Sequence, residues 1–346
     1  MPKPFRFLLL ALLAALVLGV AACGDDDDNG GGGGGGSSTQ GKSIKAGVVT
    51  DIGGLNDRSF NFLANKGLED AESQLGIQGR VLLSKSNADY VPNLSTLGQQ
   101  QYNMIVSVGF RMGDATDTVA GKFPKSNFAI VDYSATALKH KPTNVQGLLF
   151  KEQEAGYLVG YLAGLWAKDN NAKAISSVGG EKIPPVDHYI AGYMAGAKAA
   201  NPGIQVLNGY SQDFVDQAKC KEIALNQIAQ GAKVVFQVAG QCGLGALDAA
   251  KEKGVQGIGV DADQSYLGPH ILTSALKKVD VAVLDAIKRD QEGKFKGGTD
   301  VIATVQNGGV GIGKISPEGQ KYADQIKKVQ DDIASGKISN IPDTVK

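Results

Sequence analysis

Histidine, cysteine and tryptophan are scarce in this chain, and neither sign of charge prevails. The three histidines (His140, His188 and His270) are dispersed, and only three cysteines accompany them. No zinc-type spacing results, and no Ser-His-Asp or Cys-His set suggests itself. Lysine plus arginine number 35 and so do aspartate plus glutamate, so no basic excess is present to attract nucleic acid. The chain has no G-x-S-x-G elbow and no G-x-x-x-x-G-K-[ST] phosphate loop. Paired acids such as Asp261 and Asp263 lie two residues apart on one segment and need not face a common substrate. These absences argue against an enzyme, a metal site and a bound cofactor.

The amino terminus carries an address. Lys3 and Arg6 precede an apolar run from Leu8 to Val20, and Ala21, Ala22 and Cys23 follow. The run is too short for a comfortable membrane span, and small residues ahead of one cysteine have the layout of a bacterial lipoprotein signal. Residues 1–22 are therefore expected to be a signal peptide, and Cys23 the lipidated first residue. Residues 23–42 hold Asp25 to Asp28 and a run of glycines, a flexible linker with nothing to bury. The acidic run reads as solvated charge rather than a cation site. A lipid anchor of this kind places the protein on the extracytoplasmic face of a cell membrane. Cys220 and Cys242 then remain as an even pair in an oxidising compartment. They are open to two readings: a disulfide, for which the chain-entropy model gives roughly 3 kcal/mol, or two buried thiols.

About 300 residues follow the linker, enough for one large domain or two lobes. Strand and helix patterns alternate. Ile44–Thr50, Val81–Ser84, Met104–Val108, Phe128–Val131 and Gln146–Phe150 read as strands separated by helical segments, including Asn93–Gln101. A second series has strands at Ala174–Val178, Val206–Gly209, Val234–Val238 and Gly257–Val260. Its helices are expected at Gln153–Lys168, Val186–Ala200, Val215–Gln230 and Gly243–Lys253. A less regular tail follows: Ile271–Leu276, Asp280–Glu292, Val301–Val305, Gly311–Lys314 and a helix over Pro317–Ser335. Such alternation implies parallel sheets covered by helices, in two similar lobes. The expected division is 43–147 plus 277–305 for lobe 1 and 148–276 plus 306–346 for lobe 2, joined by a multi-strand hinge.

Three loops carry polar chemistry at strand ends, where open α/β sheets bind ligands. In Asp51-Ile52-Gly53-Gly54-Leu55-Asn56-Asp57-Arg58-Ser59-Phe60-Asn61, the polar side chains suit either a ligand or a helix cap. The aromatic Phe60 suits a ligand or the core. In Gly259-Val260-Asp261-Ala262-Asp263, a carboxylate after an apolar strand could accept from adjacent sugar hydroxyls. In Phe236-Gln237-Val238-Ala239-Gly240-Gln241-Cys242, a strand opens into a helix through glycines, and Phe236 offers either a stacking face or a core ring.

Taken in order, several motifs resemble the basic membrane protein family of ABC-transporter substrate-binding lipoproteins, which includes purine-nucleoside receptors. They are DIGGLNDRSFN at Asp51–Asn61, VGF at Val108–Phe110, FAIVDY at Phe128–Tyr133 and FKEQEAGYLVGYLAG at Phe150–Gly164. VAGQCGLGALDAAKE at Val238–Glu252, GVDADQ at Gly259–Gln264 and LTSALKKVD at Leu272–Asp280 complete the series. The resemblance implies a type I periplasmic-binding-protein fold and a receptor, not an enzyme. It implies a nucleoside, purine foremost, clamped between Phe60 and Phe236, with Asp51 and Asp132 at the base edge. Asp261 would hold the ribose hydroxyls and Lys277 would sit near the sugar, with Asn56, Asp57 and Gly240 as further contacts. The implied partners are a membrane ABC permease and the lipid anchor, with the receptor a monomer that binds no nucleic acid. Tyr210 stands where many relatives carry a tryptophan nearby, and the cysteine pair is not general in the family.

Overall fold

A computed structural model describes residues 43–346. The expected signal peptide 1–22, Cys23 and the linker 23–42 lie outside the described residues.

The first series of elements comprises β1 (Lys45–Val49), α1 (Phe60–Leu75), β2 (Gln78–Leu82), α2 (Tyr90–Gln99), β3 (Met104–Val108), α3 (Gly113–Ala120), β4 (Asn127–Val131) and β5 (Val145–Phe150). The second comprises α4 (Glu152–Asp169), β6 (Ala174–Gly179), α5 (Pro184–Ala200), β7 (Gln205–Tyr210), α6 (Gln217–Ala229), β8 (Ala232–Val238), α7 (Gly240–Glu252), β9 (Gln256–Asp261) and β10 (Ile271–Lys277). The tail adds α8 (Val279–Gln291), β11 (Thr299–Ala303), β12 (Val310–Ile312) and α9 (Ala323–Ala334).

Two six-stranded sheets result, ordered β11-β5-β4-β3-β1-β2 and β12-β10-β9-β8-β6-β7. The two orders correspond strand for strand, so β4 and β9 hold equivalent places. Pairing is parallel throughout the first sheet, whereas β12 runs antiparallel to β10 in the second. The chain passes between sheets after β5, after β10 and after β11.

Some boundaries differ from those the sequence suggests, for local reasons. The second strand begins at Gln78 rather than Val81, because Gln78–Leu82 pairs with Lys45–Val49 as an edge strand whose polar side chains face outward. Helix α2 starts at Tyr90, with Pro92 inside its first turn, where a missing amide costs nothing. Helix α7 starts at Gly240, so the glycine turn is its own first turn. The last helix is confined to Ala323–Ala334. Cys220 and Cys242 form a disulfide across 22 positions with their Cα atoms 5.5 Å apart, joining α6 to α7.

Helices α4 and α5 make the closest approach in the second lobe. Gly156 and Gly160 of α4 face the carbonyls of Tyr189 and Tyr193, while Gly192 and Gly196 of α5 face those of Gln153 and Tyr157. Residues four apart share a helix face, so each helix offers a strip without side chains to the other's backbone. A β-carbon at any of these positions would overlap a carbonyl oxygen that cannot swing away. Gly160→Ala is therefore expected to destabilise the fold by about 1–3 kcal/mol. Gly203→Ala, where a β-carbon meets nothing within 4 Å, should stay within about 0.5 kcal/mol. Urea denaturation of both variants checks the contrast.

Candidate functional site

The loop after β1 is shaped by its own polar side chains. Asp57 accepts from the amides of Ser59 (3.1 Å), Asn61 (2.7 Å) and Phe62 (3.1 Å), so it caps α1 from two residues before the N-cap position. Ser59, at the N-cap itself, makes no capping bond and its hydroxyl is buried without a partner. Asn61 closes the loop by accepting from the Asp51 amide (3.0 Å) and donating to the Ile52 carbonyl (3.3 Å). Asp51 in turn accepts from the Ile52 amide (2.7 Å) and from the Tyr90 hydroxyl. Burial raises the Asp51 and Asp57 pKa values in spite of these donors.

Opposite this loop lies a buried ion cluster. Lys277, the last residue of β10, is 2% exposed. Its Nζ is 2.6 Å from Asp132 Oδ1 and 2.9 Å from Glu152 Oε1. The same ammonium lies 5.1 Å from the Phe60 ring centre and 4.8 Å from that of Phe150. His188 Nδ1 is 3.0 Å from the other Glu152 oxygen, and the Tyr189 hydroxyl donates to Asp261 at 3.2 Å. Burial opposes the charge on Lys277, but Asp132, Glu152 and Asp261 outweigh it and hold its pKa above the ordinary lysine value. Burial likewise works against ionised Glu152, yet Lys277 and His188 bring its pKa below the ordinary value. For Asp132 burial prevails over Lys277 and the pKa rises to about 6; for Asp261 burial raises it to about 7.

Asp132 follows β4 and Asp261 ends β9, at equivalent places in the two sheets. Both have left-handed backbones, with φ of 67° and 60°. Non-glycine residues hold that region only where the surroundings enforce it. The turn swings each carboxylate off its strand toward the gap between the lobes.

That gap is a cleft between the two sheets. It opens at the carboxyl ends of β1 and β3 in one sheet and of β6 and β8 in the other, where the strand order reverses. Asp51, Asp57, Phe60, Asp132, Gly240, Asp261 and Lys277 all line it. Two expected residues do not. Asn56 lies in an adjoining depression with Arg58, Gln217 and His270. Phe236 is fully buried, its ring 5.1 Å from that of Tyr193 and 6.1 Å from that of Tyr189. It points from β8 into the core beneath α5, so it cannot clamp a ligand in the cavity. The aromatic wall of the second lobe is instead Phe214, from the loop between β7 and α6, together with Tyr189. Phe110 adds a further ring from the first lobe, and Arg111 beside it meets Glu181 of the other lobe at 3.3 Å. Among the described residues no cluster of His, Cys, Asp and Glu could hold a metal ion.

The model of the ABC transporter substrate-binding proteins called PnrA-like matches residues 44–344. The ABC transporter nucleoside-binding protein BmpA of Lactococcus lactis is 36% identical over 87% of this chain and 91% of its own length. An uncharacterised lipoprotein of Pyrococcus horikoshii is 35% identical over 88% of this chain and 76% of its own. This chain belongs to the PnrA-like substrate-binding family.

The PnrA-like assignment agrees with the fold. An ABC-transporter solute-binding protein of Aeropyrum pernix superposes with a TM-score of 0.78 at 28% identity, over 86% of this chain and 94% of that one. A Burkholderia graminis solute-binding protein in complex with D-arabinose shares the fold alone, at 16% identity, a TM-score of 0.60 and coverage of 81% and 97%. The architecture is thus the type I periplasmic-binding-protein fold, and the family is one of solute-binding receptors rather than enzymes.

The sequence offered little to single out Glu152, Tyr189 or Phe214 beforehand. Glu152 looks like an ordinary first-turn acid of α4, and its partner lies 125 positions away. Tyr189 sits on a helix face that reads as core. Phe214 falls in a segment without periodicity; its nearness to the cysteine pair was the available clue.

Two outcomes follow from the charges in this PnrA-like protein. Lys277→Met leaves buried Asp132 without its cation and Glu152 with His188 alone, and is expected to cost about 3–5 kcal/mol at neutral pH. The loss should shrink toward acid pH as those carboxyls take up protons. Asp261 has a folded-state pKa of about 7 against an ordinary value of 3.8, so the native chain loses stability as pH rises through that window. Asp261→Asn, which does not ionise, should match the native chain near the lower limit and gain on it toward the upper. Urea denaturation across the pH range checks both.

Proposed function

We propose that this substrate-binding protein is a lipid-anchored, extracytoplasmic receptor for nucleosides, purine nucleosides foremost, and hands them to a membrane ABC permease. The observation that carries the reading is the cavity wall itself, where a phenylalanine from each lobe (Phe60 and Phe214) meets buried carboxylates and one ammonium. A base has two π-faces for the rings and edge donors and acceptors for Asp51 and Asp132. A ribose has adjacent hydroxyls for Asp261. An ammonium has three donors; Asp132 and Glu152 engage Lys277, and the remaining donor serves the sugar.

The magnitudes suffice. Stacking contributes roughly 1–3 kcal/mol per aromatic partner, and hydrogen bonds to charged groups roughly 1.5–3 kcal/mol. Two rings and two carboxylates, each accepting one such bond, supply roughly 5–12 kcal/mol before ordering costs, a range that brackets the roughly 8 kcal/mol of micromolar binding. The name of the Lactococcus lactis relative supports the ligand class, and the lipoprotein names of the Pyrococcus relatives support anchoring at Cys23. Among the described residues no helix is long and apolar enough to cross a membrane. The receptor acts as a monomer.

Calorimetric titration tests the reading, using protein freed of co-purified ligand by unfolding and refolding. Adenosine, guanosine, inosine, cytidine, uridine and ribose form the panel. Tight binding of a nucleoside with little binding of ribose is the expected result. Binding of ribose with silence toward every nucleoside would move the function to a sugar receptor. Phe60→Ala and Phe214→Ala should each weaken nucleoside binding by roughly 1–3 kcal/mol. Phe236→Ala should instead lower folding stability by about 3–5 kcal/mol, read by urea denaturation.

A further inference from the structure

The disulfide stands beside the cavity rather than at the periphery of the lobe. Cys220 lies in the first turns of α6, directly after the loop that carries Phe214, and Cys242 lies in the first turn of α7, whose Gly240 and Gln241 line the cavity. Both cysteines are fully buried. The bond therefore joins two separate pieces of one wall.

The attachments of Phe214 show why such a bond has a job to do. Its ring lies over Gly180, where a β-carbon would overlap it, and its carbonyl is 3.5 Å from the corresponding point at Gly240. Neither glycine offers a side chain to wedge the ring in place. The backbone tie across to α7 is the Cys242 amide, which donates to the Phe214 carbonyl at 3.0 Å. Asp213 orders the loop by accepting from the amides of Val215 (2.7 Å) and Asp216 (2.9 Å) and from Lys219 Nζ (2.7 Å). Those bonds stay within the loop and α6, so they fix its shape and not its distance from α7. Ser211, whose hydroxyl donates to the Asp213 carbonyl at 2.8 Å, stands 3.5 Å from Cys242 Sγ. Loop and bond thus touch directly.

We infer that the Cys220–Cys242 disulfide is a positioning element for ligand binding: it presets the Phe214 ring against the Gly240–Gln241 turn, so that the second face of a planar ligand meets a wall already in place. The inference rests on the reading of Phe214 as a stacking ring for a nucleoside base. A preset ring spares the ligand the entropy of ordering it, and the gain appears as affinity. The cysteines themselves touch no ligand; they act through Phe214.

A mutant cycle separates this role from general stapling. Four proteins are compared: the native chain, Cys220→Ala with Cys242→Ala, Phe214→Ala, and all three substitutions together. Affinity is measured for the tightest-binding nucleoside of the panel. Loss of the disulfide should weaken binding about tenfold when Phe214 is present and less than about twofold when it is absent. Equal losses in both backgrounds, or no loss in either, would overturn the inference. Hydrogen exchange of the free proteins is the second readout. Residues 211–216 and the amide of residue 242 should exchange faster without the disulfide, while α4 and α5 stay unchanged. Unaltered exchange in the loop would also overturn it. If no nucleoside binds the native chain, the ligand reading fails and the exchange measurement alone decides whether the bond positions the loop. Should the alanine pair fail to fold, the same comparison is made on native and Phe214→Ala chains reduced with dithiothreitol. The two cysteines take up two electrons and two protons as the reagent closes to its own cyclic disulfide.

Discussion

The buried ammonium of Lys277 is the interaction on which the arrangement of the lobes depends. It ends β10, at the point where the chain leaves the second sheet for the first, and its partner Glu152 stands where the chain makes the opposite crossing after β5. Asp132, at the end of β4, is the remaining anchor. One cation therefore ties two crossings and a strand end into a single cluster at the hinge. Such a group in a dry interior is costly unless it is paired on more than one side. Burial raises the pKa values of Asp132 and Asp261 to about 6 and 7, whereas at Glu152 Lys277 and His188 outweigh burial and bring the pKa below its ordinary value. Asp132 and Lys277 of this cluster also line the cavity.

Around that cluster the two lobes repeat one plan. Corresponding strand orders place Asp132 and Asp261 at equivalent strand ends, each in a left-handed backbone. The repetition delivers one acid from each lobe to the gap, but the neighbours differ. Asp132 meets Lys277 directly, whereas Asp261 meets the hydroxyl of Tyr189. Equivalent backbone positions thus become two chemically distinct contacts. A ligand with two different polar edges suits such a cavity better than a symmetric one. The dense α4–α5 pair behind Tyr189 holds that tyrosine at the cavity wall, because helices in contact through glycines leave little room to slide.

Much of this was legible in the sequence. Strand–loop–helix alternation named the fold class, and polar residues immediately after apolar strands named the loops that reach the gap. Asp51, Phe60 and Asp261 stand in those loops, the family resemblance adds Asp132 and Lys277, and all five line the cavity. For Asp51 and Asp261 the legibility has a simple cause: a residue at the carboxyl end of a parallel strand is placed by local geometry, since the strand direction itself aims it at the ligand edge.

The sequence by itself determined where the strands end and hence which segments face the gap; only the tertiary structure decided which side chains do so. Phe236 shows the reason. Both faces of a parallel sheet are covered by helices, so period-two alternation says that a side chain changes face, not which face holds a ligand. The packing of Tyr193 and Tyr189 takes Phe236 into the core. Phe214 comes to the cavity from an irregular loop, and Gly180 leaves room for its ring. Asp57 was equally open to two uses, and the amides of Ser59, Asn61 and Phe62 made it the cap of α1. Glu152 acquired its meaning only when a lysine 125 positions away reached it. Local spacing sets direction along the chain, whereas pairing between distant charges and rings exists only after the lobes have come together.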